Sequence, residues 1–329
     1  SFSPTNSANN EELRLICYGF FKMDYPSKDI IYQNHHIDSE RWLTYEPRVD
    51  DICIASTMKT GTTWTQALVA HLLFPNNKLP KKVSELSPWI DDRSVPIELV
   101  MKEINQQKHR RFLKTHLPLN ALSFFPKIKY IYVGRDGRDV ALSIWNHYLN
   151  YTDAVYESIN NLPNLVGDKF PNPPPNFKIF WRNWCTKGWF DWENDGYPFW
   201  SHLSGVQSWW DYRDLPNIIF LHYADMKKDL FSCIKKVASF LEIEITSDEI
   251  TNVQNSISFE AMRANADSYV PDGGISWKGG SKTFLNKGIN GRWRDLLADE
   301  ELQLYEAATK KSLSFDCRYW LENGGEVPD

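Results

Sequence analysis

Short apolar runs recur along the chain, and each is followed by a segment in which the apolar residues have helical spacing. The first run, Ile52–Ala55 in "DDICIAS", has no polar alternation and predicts a fully buried strand. The segment after it, "TWTQALVAHLLF", predicts an amphipathic helix, and Thr62 and Thr63 are suited to cap its start. The pattern therefore indicates a strand–loop–helix unit.

The same unit recurs further along the chain. "RRFLKTH" predicts a short strand with polar residues at its end, and "YIYV" predicts a strand at Tyr130–Val133. A turn with Gly134 and Gly137 and a helix from about Arg138 follow, and "NIIFLHYADM" adds a strand at Ile218–His222 before the helical segment "LFSCIKKVASFL". Strands that alternate with helices predict an α/β fold with a mostly parallel sheet and helices on both faces. Ligands of such sheets bind beyond the carboxyl ends of the strands.

The length of 329 residues allows one large domain. We expect a flexible tail over residues 1–12 and a single domain over 13–329. Between about residues 150 and 200 the periodicity is lost, and "DKFPNPPPNFKIF" is too rich in proline to be regular throughout, so we expect a lid or acceptor-binding loop there. A second irregular stretch, "SYVPDGGISWKGGSKTFLNKGINGRW", is rich in glycine, which lets backbone amides approach a ligand.

Composition narrows the function classes. The net charge of -5 argues against a general binder of nucleic acid, although it allows a local basic pocket. The five cysteines are scattered without a CxxC pair, which is typical of reduced thiols in a cytoplasmic protein and indicates no zinc site. No apolar run approaches the length of a transmembrane helix, and the polar N-terminus is not a signal peptide, so we expect no membrane partner.

The stretch "ASTMKTGTTW" carries the first chemical signal. A loop between a strand and a helix N-terminus directs backbone N–H groups at one point, where the helix dipole favours an anion. Lys59 adds a full charge, Gly61 permits close approach, and the hydroxyls of Thr60, Thr62 and Thr63 add donors. The order GxxxxGK[ST] of nucleoside triphosphatases is absent. A terminal phosphate of a nucleotide and an ordinary capped helix both fit this loop taken alone.

Three further motifs occur at the ends of the other predicted strands and in the late glycine-rich loop. "KTHLP" contains Lys114 and His116, "YVGRDGRDVALS" contains Arg135 and Ser143, and "FLNKGINGRW" contains Lys287 followed by glycine. In this combination and order, covering roughly residues 51–293, the chain resembles the sulfotransferases. The resemblance is to the cytosolic type, and in style it is nearest to bacterial, including cyanobacterial, members. Each motif alone would be far less specific than the set.

The resemblance implies a doubly wound domain around a five-stranded parallel sheet and 3′-phosphoadenosine 5′-phosphosulfate (PAPS) as sulfuryl donor, with 3′-phosphoadenosine 5′-phosphate (PAP) as product. It assigns the 5′-phosphosulfate to the loop from Lys59 to Thr63. It assigns the 3′-phosphate to Arg135 and Ser143. The remaining positions implied to bind the donor are Trp64, Tyr223 and Ser258 around the adenine, and Lys287 and Gly288 at the 3′-phosphate.

The chemistry of the residues agrees with that implication. Sulfuryl transfer needs a base on the acceptor and cations around the oxygens, as phosphoryl transfer does. His116 can take the acceptor proton, because an unperturbed imidazole titrates near neutral pH. Lys59 can neutralise the leaving bridging oxygen, and Lys114 can stabilise the transferred group. We predict that no metal takes part, because no cluster of metal-binding residues is present in the sequence.

The acceptor is a small molecule with a hydroxyl or an amine, and its pocket is harder to predict. Matching segments contain aromatic and acidic residues, and those in "WFDWENDGYPFW" favour a cationic acceptor through ion pairs and cation–π contacts. Some cyanobacterial members of the family that the chain resembles sulfate guanidinium toxins, and such a cationic acceptor would suit this site. The alternative is that these acids form a solvated loop face. The candidate positions are Trp89, Asp91 with Asp92, His147, Tyr148, Asp191 and Glu193 with Asp195.

The chain departs from the family pattern at three places, and two other functions remain open. Asn286 replaces the usual arginine of "RKG", which predicts a weaker grip on the 3′-phosphate unless Lys282 or Arg292 substitutes. Met58 replaces a common proline, which predicts a looser phosphate loop. The family's C-terminal dimer motif is missing, so we expect a monomer or a dimer of another type. The alternatives are a P-loop kinase that uses ATP and a non-catalytic nucleotide-binding protein.

Overall fold

A computed structural model describes residues 24–75 and 78–327, and the predicted tail over residues 1–12 lies outside them. Four strands form one sheet in the order β2-β1-β3-β4, with all neighbours parallel. The predicted parallel sheet is confirmed, although the resemblance implied five strands and the described residues contain four. The strands are β1 Ile52–Ser56, β2 Phe112–Thr115, β3 Lys129–Gly134 and β4 Ile218–His222.

The register brings the ends of the strands together. Ala55 of β1 lies opposite Thr115 of β2 and Tyr132 of β3, and Gly134 lies opposite His222 of β4. All five residues of β1 are buried, because both faces of this central strand are covered. The residues that follow each strand therefore meet at one edge of the sheet.

The helices cover both faces of the sheet and enclose two hydrophobic cores. One core contains most of the tryptophans, which accounts for much of the aromatic composition. The α-helices are α1 Thr62–Leu73, α2 Val83–Leu86, α3 Ile97–Gln106, α4 Gly137–Leu149, α5 Asp153–Asn160, α6 Phe177–Thr186, α7 His202–Trp210, α8 Tyr223–Lys228, α9 Leu230–Phe240, α10 Ser247–Ser256, α11 Phe259–Ala264, α12 Ser281–Phe284, α13 Asp299–Ser312 and α14 Phe315–Asn323. Short 3-10 helices occur at Ser39–Thr44, Leu119–Ala121, Ala266–Ser268, Pro271–Gly274 and Arg292–Asp295.

The start of α1 differs from the prediction. Gly61 is the N-cap residue, with φ of 114°, and no side chain caps the helix. Thr62 is already helical, and its Oγ1 lies 2.6 Å from Ser56 Oγ. The prediction that Thr62 and Thr63 cap the helix was wrong, because the left-handed turn at Gly61 leaves the first amides of α1 without a capping oxygen.

The segment of residues 150–200 contains α5 and α6 with irregular chain between and after them. Helix α6 buries Phe177, Phe180, Trp181 and Trp184 against the aromatic core, so this part of the segment is packed. Its role as a lid stays a prediction. Within residues 24–75 and 78–327, no helix combines the length and the apolar character needed to cross a membrane, and no group of three or more potential metal ligands occurs.

Candidate active site

A cavity of about 1160 Å³ lies at the edge of the sheet where the four strands end. Most of the residues predicted to bind donor or acceptor line it, although they come from distant parts of the chain. Those that line it are Lys59, Gly61, Thr62, Thr63, Trp64, Trp89, Asp92, Lys114, His116, Arg135, Ser143, His147, Tyr223, Ser258, Lys287 and Gly288. Thr60, Asp91, Tyr148, Asp191 and Glu193 do not.

The loop between β1 and α1 wraps one end of the cavity. Lys59 has φ of 65° and Gly61 has φ of 114°, so the chain turns sharply just before the helix. The first N–H groups of a helix have no intrahelical acceptor, and those of α1 start at Thr62 on the cavity wall. Thr60 is buried beneath the loop, where its hydroxyl donates to Thr57 O at 3.0 Å. The loop therefore offers backbone donors to an anion, while Thr60 holds the turn in place.

Lys59, Lys114 and Arg135 line the cavity near the ends of β1, β2 and β3, and Lys82, Lys227, Lys228, Lys287 and Arg292 line it as well. None of them has a carboxylate within ion-pair distance among the described residues. Burial, followed by repulsion from Arg135 and Lys114, lowers the pKa of Lys59 to about 7. The like charges repel each other and favour the neutral form of Lys59. An anionic ligand would relieve this repulsion, so the cluster is suited to an anion.

Arg135 is held firmly in this cluster. Its guanidinium donates to Asn290 Oδ1 at 2.9 and 3.1 Å and to Lys59 O at 3.2 Å, and it lies 4.2 Å from the centre of the Tyr223 ring. Arg292 also lines the cavity, whereas Lys282 does not. Asn286 lines the cavity too, and a compensating role for Arg292 at the 3′-phosphate stays a prediction.

An aromatic slot adjoins this cluster. The rings of Trp64 and Tyr223 lie 5.5 Å apart, and Trp64 Nε1 donates to Ile257 O at 2.8 Å. Ser258 caps α11 by accepting the Ala261 N–H at 3.2 Å, so its hydroxyl is already engaged. The two rings meet edge-to-face, so this aromatic slot offers a surface on which a planar base can stack and not a gap between the rings.

His116 lies at the end of β2 and lines the cavity. Its Nδ1 lies 3.0 Å from the carbonyl oxygen of Ser56, which can only accept, so Nδ1 carries the proton and Nε2 has a free lone pair. Burial, with the charge of Lys114 second, lowers the pKa of His116 to about 3, which keeps the ring neutral at physiological pH. Trp89 meets the ring edge-to-face at 4.9 Å, and Lys114 Nζ lies 4.7 Å from the centre of a Trp89 ring.

The acidic candidates are mostly used in structural hydrogen bonds. Asp91 is fully buried and accepts from Trp42, Trp89, Thr115 and the backbone N–H of His116. Tyr148 is buried against Phe170.

Glu193 accepts from Tyr32 Oη–H at 2.7 Å and from the Ser201 N–H at 2.8 Å, and burial raises its pKa to about 7. Asp195 accepts from Ser201 and from the His202 and Leu203 N–H groups. Only Asp191 is exposed. Glu193 and Asp195 face neither a ligand nor solvent, because both are buried as hydrogen-bond acceptors, for Tyr32 and for residues 201–203.

Sequence reasoning missed several cavity residues: His36, Asp139, Tyr151, Trp277 and Phe284. Tyr151 pairs with Trp277 through an antiparallel bridge, and the Phe284 ring lies 4.2 Å from Lys59 Nζ. These contacts join segments more than 100 residues apart, so no local pattern could have identified them. Asp139 is the exception, since it lies in the motif that contains Arg135 and Ser143; its Oδ1 accepts the Gly291 N–H at 2.8 Å.

Comparisons with known proteins point to one family. The family model described as "Sulfotransferase domain" matches residues 49–315. A glycolipid sulfotransferase of Mycobacterium bovis (strain BCG / Pasteur 1173P2) is 30% identical over 317 residues, covering 92% of this chain and 97% of that protein. Sulfotransferase 1B1 of Mus musculus is 29% identical over 289 residues, covering 84% and 86%.

Solved structures show the same likeness. Mouse sulfotransferase SULT7A1 complexed with PAP has a TM-score of 0.64 and 22% identity, covering 89% of this chain and 98% of that one. Retinol dehydratase in a complex with retinol and PAP has a TM-score of 0.61 and 25% identity, covering 84% of each chain. The first of these likenesses concerns the fold alone.

Proposed function

The chain belongs to the sulfotransferase family, and on that premise we propose that His116 is the general base that activates a hydroxyl of a small-molecule acceptor. The donor of the family is PAPS, which supplies the sulfuryl group. The observation that carries the proposal is the 3.0 Å hydrogen bond from His116 Nδ1 to Ser56 O, because it leaves Nε2 free to accept a proton at the cavity wall.

The residues of the cavity divide between the two ends of the donor. The amides at the start of α1 and Lys59 suit the 5′-phosphosulfate, and Arg135 with Ser143 suits the 3′-phosphate. Lys287, Gly288 and Arg292 also line the cavity, and the aromatic slot of Trp64 and Tyr223 suits the adenine as a stacking surface. Gly288 has φ of 61°, and a Cβ there would lie 2.9 Å from the Phe259 ring, so this wall depends on glycine.

In the reaction, His116 Nε2 takes the hydroxyl proton as the acceptor oxygen bonds to sulfur. The bond from sulfur to the bridging phosphate oxygen breaks, and the electron pair stays on PAP. Lys59 and Lys114 stabilise the negative charge on the oxygens around the sulfur and on the leaving group. Burial lowers the pKa of His116 most, and the charge of Lys114 adds to this lowering. The negative charge of the donor offsets that of Lys114, so the base becomes stronger when the site is loaded.

Two observations support a hydroxyl acceptor with an apolar body. Trp89 packs against His116, and Tyr151 and Trp277 also line the cavity, so the cavity offers aromatic faces to an acceptor. The relatives of this chain include glycolipid sulfotransferases, whose acceptors carry sugar hydroxyls on an apolar anchor. The cationic acceptor inferred from the lid acids loses its support, since Asp191, Glu193 and Asp195 lie outside the cavity.

Binding and turnover separate this function from the alternatives. Calorimetry with PAP, in the absence of magnesium, should give tight binding, and ATP with magnesium should bind far more weakly. The reverse result would favour a kinase. A non-catalytic binder would take up PAP but would not release it from PAPS in the presence of any acceptor. We also propose a cytoplasmic location, which the four buried free thiols of Cys53, Cys185, Cys233 and Cys317 support.

A further inference from the structure

His36 and Asp92 lie side by side on the wall of the cavity near Trp89, although 56 positions of sequence separate them. Their segments are joined by an antiparallel bridge between Ile37 and Asp92 and by the Arg93 N–H, which donates to His36 O at 2.9 Å. The backbone N–H of His36 donates to Asn34 Oδ1 at 2.8 Å. The backbone at both residues is therefore fixed by hydrogen bonds before any ligand arrives.

The imidazole of His36 has unused hydrogen-bonding capacity. The residue is only 9% exposed, Nδ1 has no hydrogen-bond partner among the described residues, and Nε2 lies 3.8 Å from Asp92 Oδ1, beyond a direct hydrogen bond. A buried imidazole nitrogen without a partner is destabilising unless a ligand satisfies it. Asp92 accepts from the N–H and hydroxyl of Ser94, which still leaves lone pairs on its carboxylate.

The pair lies close to the reacting centre. The ring of His36 is 5.6 Å from the Trp89 ring, and Trp89 is 4.9 Å from His116. A ligand in contact with Trp89 would therefore reach the base at one side and His36 at the other. Lys114, whose Nζ lies against the same indole, completes this half of the cavity.

We propose that His36 and Asp92 form a second acceptor subsite, which binds a hydroxyl adjacent to the hydroxyl that is sulfated. The inference rests on the proposed function and specifies its substrate class as vicinal diols, such as sugars or catechols. The imidazole nitrogen and the carboxylate oxygens accept hydrogen bonds, so they select a ligand group that donates.

A neutral donor suits this subsite better than a cation. Burial and the charge of Lys114 lower the pKa of His36 even though Asp92 lies beside it. Surroundings that disfavour a proton on this ring also disfavour a ligand cation at the same place.

The test compares three probes of matched size: 4-tert-butylcatechol, 4-tert-butylphenol and tyramine. Sulfation is measured with PAPS, and binding to the PAP-loaded enzyme is measured by calorimetry. The variants are His36→Phe and Asp92→Asn, with Ser94→Ala as the matched control on the same segment. The wild-type enzyme should prefer the catechol over the phenol by about tenfold or more in kcat/KM, the size of one hydrogen bond to a charged group.

Both variants should lose most of that preference while the kcat/KM for the phenol and the affinity for PAP stay within about threefold, and Ser94→Ala should keep the preference. The subsite would be overturned if the variants lost kcat/KM equally for the catechol and the phenol, or if the wild type showed no preference between them. Failure of the PAP-loaded wild type to bind either the catechol or the phenol would overturn it as well. A preference for tyramine that disappears in Asp92→Asn would also overturn it, in favour of a cation site. Failure of the proposed function itself is seen separately, as PAP that does not bind or as turnover that persists in His116→Ala.

Discussion

The carboxylate of Asp91 accepts a hydrogen bond of 2.9 Å from the backbone N–H of His116. The same carboxylate accepts from Trp89 Nε1 at 2.7 Å and from the hydroxyl of Thr115. One buried acid thus fixes the end of β2, the base that follows it, and the indole that packs against the base. Asp91 does not line the cavity, so we assign it a positioning role through His116 and Trp89.

We expect Asp91→Asn to lower kcat by about tenfold or more and to leave the affinity for PAP within about threefold, because an amide nitrogen cannot accept from the donors that surround it. The free energy of unfolding should fall by about 1–3 kcal/mol, the cost of a buried donor left unsatisfied. Steady-state kinetics, calorimetry and urea unfolding check this. A variant with normal kcat and lowered stability would reduce Asp91 to a purely structural role.

His116→Ala should reduce kcat by about 100-fold or more, which is the typical contribution of a general base. The affinity for PAP should be unchanged, since Nε2 serves the acceptor and the phosphate contacts lie elsewhere in the cavity. Rapid-quench measurement of PAP formation at saturating PAPS isolates the chemical step. Turnover at the wild-type rate would contradict the assigned role.

The affinity for PAP should fall as pH rises above 7. Lys59 has a pKa of about 7 in the free protein, so below this pH it is already charged and above it binding must take up a proton. Each pH unit above 7 then weakens binding by up to about tenfold, until the pKa of the complex is reached.

Lys59→Arg is the matched control, because its guanidinium stays charged at all these pH values. Calorimetry in buffers with different ionisation enthalpies reads the proton uptake directly. Equal pH dependence in the wild type and the variant would show that another group is responsible.

Gly61→Ala should weaken PAP binding by about tenfold or more. The φ of 114° is strained for any residue with a Cβ, and the added atom would lie 2.9 Å from the Tyr223 ring. Gly167→Ala is the control, since Gly167 also has a positive φ, of 79°, but a Cβ there meets nothing within 4 Å. Similar PAP affinities for the two variants would show that the loop tolerates the change.

Two acids of the lid should behave differently on substitution. Glu193→Ala leaves the Tyr32 hydroxyl and the Ser201 N–H without their acceptor, and it should lower the free energy of unfolding by about 2 kcal/mol or more. Asp191→Ala, at an exposed position, should change it by less than about 0.5 kcal/mol. Neither should alter the ratio of kcat/KM between a cationic and a neutral phenol. A selective loss for the cationic probe would restore the acids to the acceptor site.

Much of the donor half could be predicted from the sequence. The predicted strands and most of the predicted helices are confirmed, because a buried strand in a parallel sheet is locally apolar and a helix has its own period. Loops after such strands must meet at one edge, so Lys59, His116 and Arg135 could be placed together before any coordinates were available. The motifs that carry these residues are local and keep their spacing.

The acceptor half was decided by the tertiary structure. Asp91 and Asp92 are adjacent in sequence, yet one is buried as a hub of hydrogen bonds and the other lines the cavity. Their surroundings come from distant segments: Trp42 and His116 donate hydrogen bonds to Asp91, and the imidazole of His36 lies beside Asp92. Burial and hydrogen-bond partners come from chain segments tens of residues away, and no local pattern encodes them. The sequence alone therefore determined the fold class and the donor chemistry, and only packing decided which polar side chains reach the acceptor.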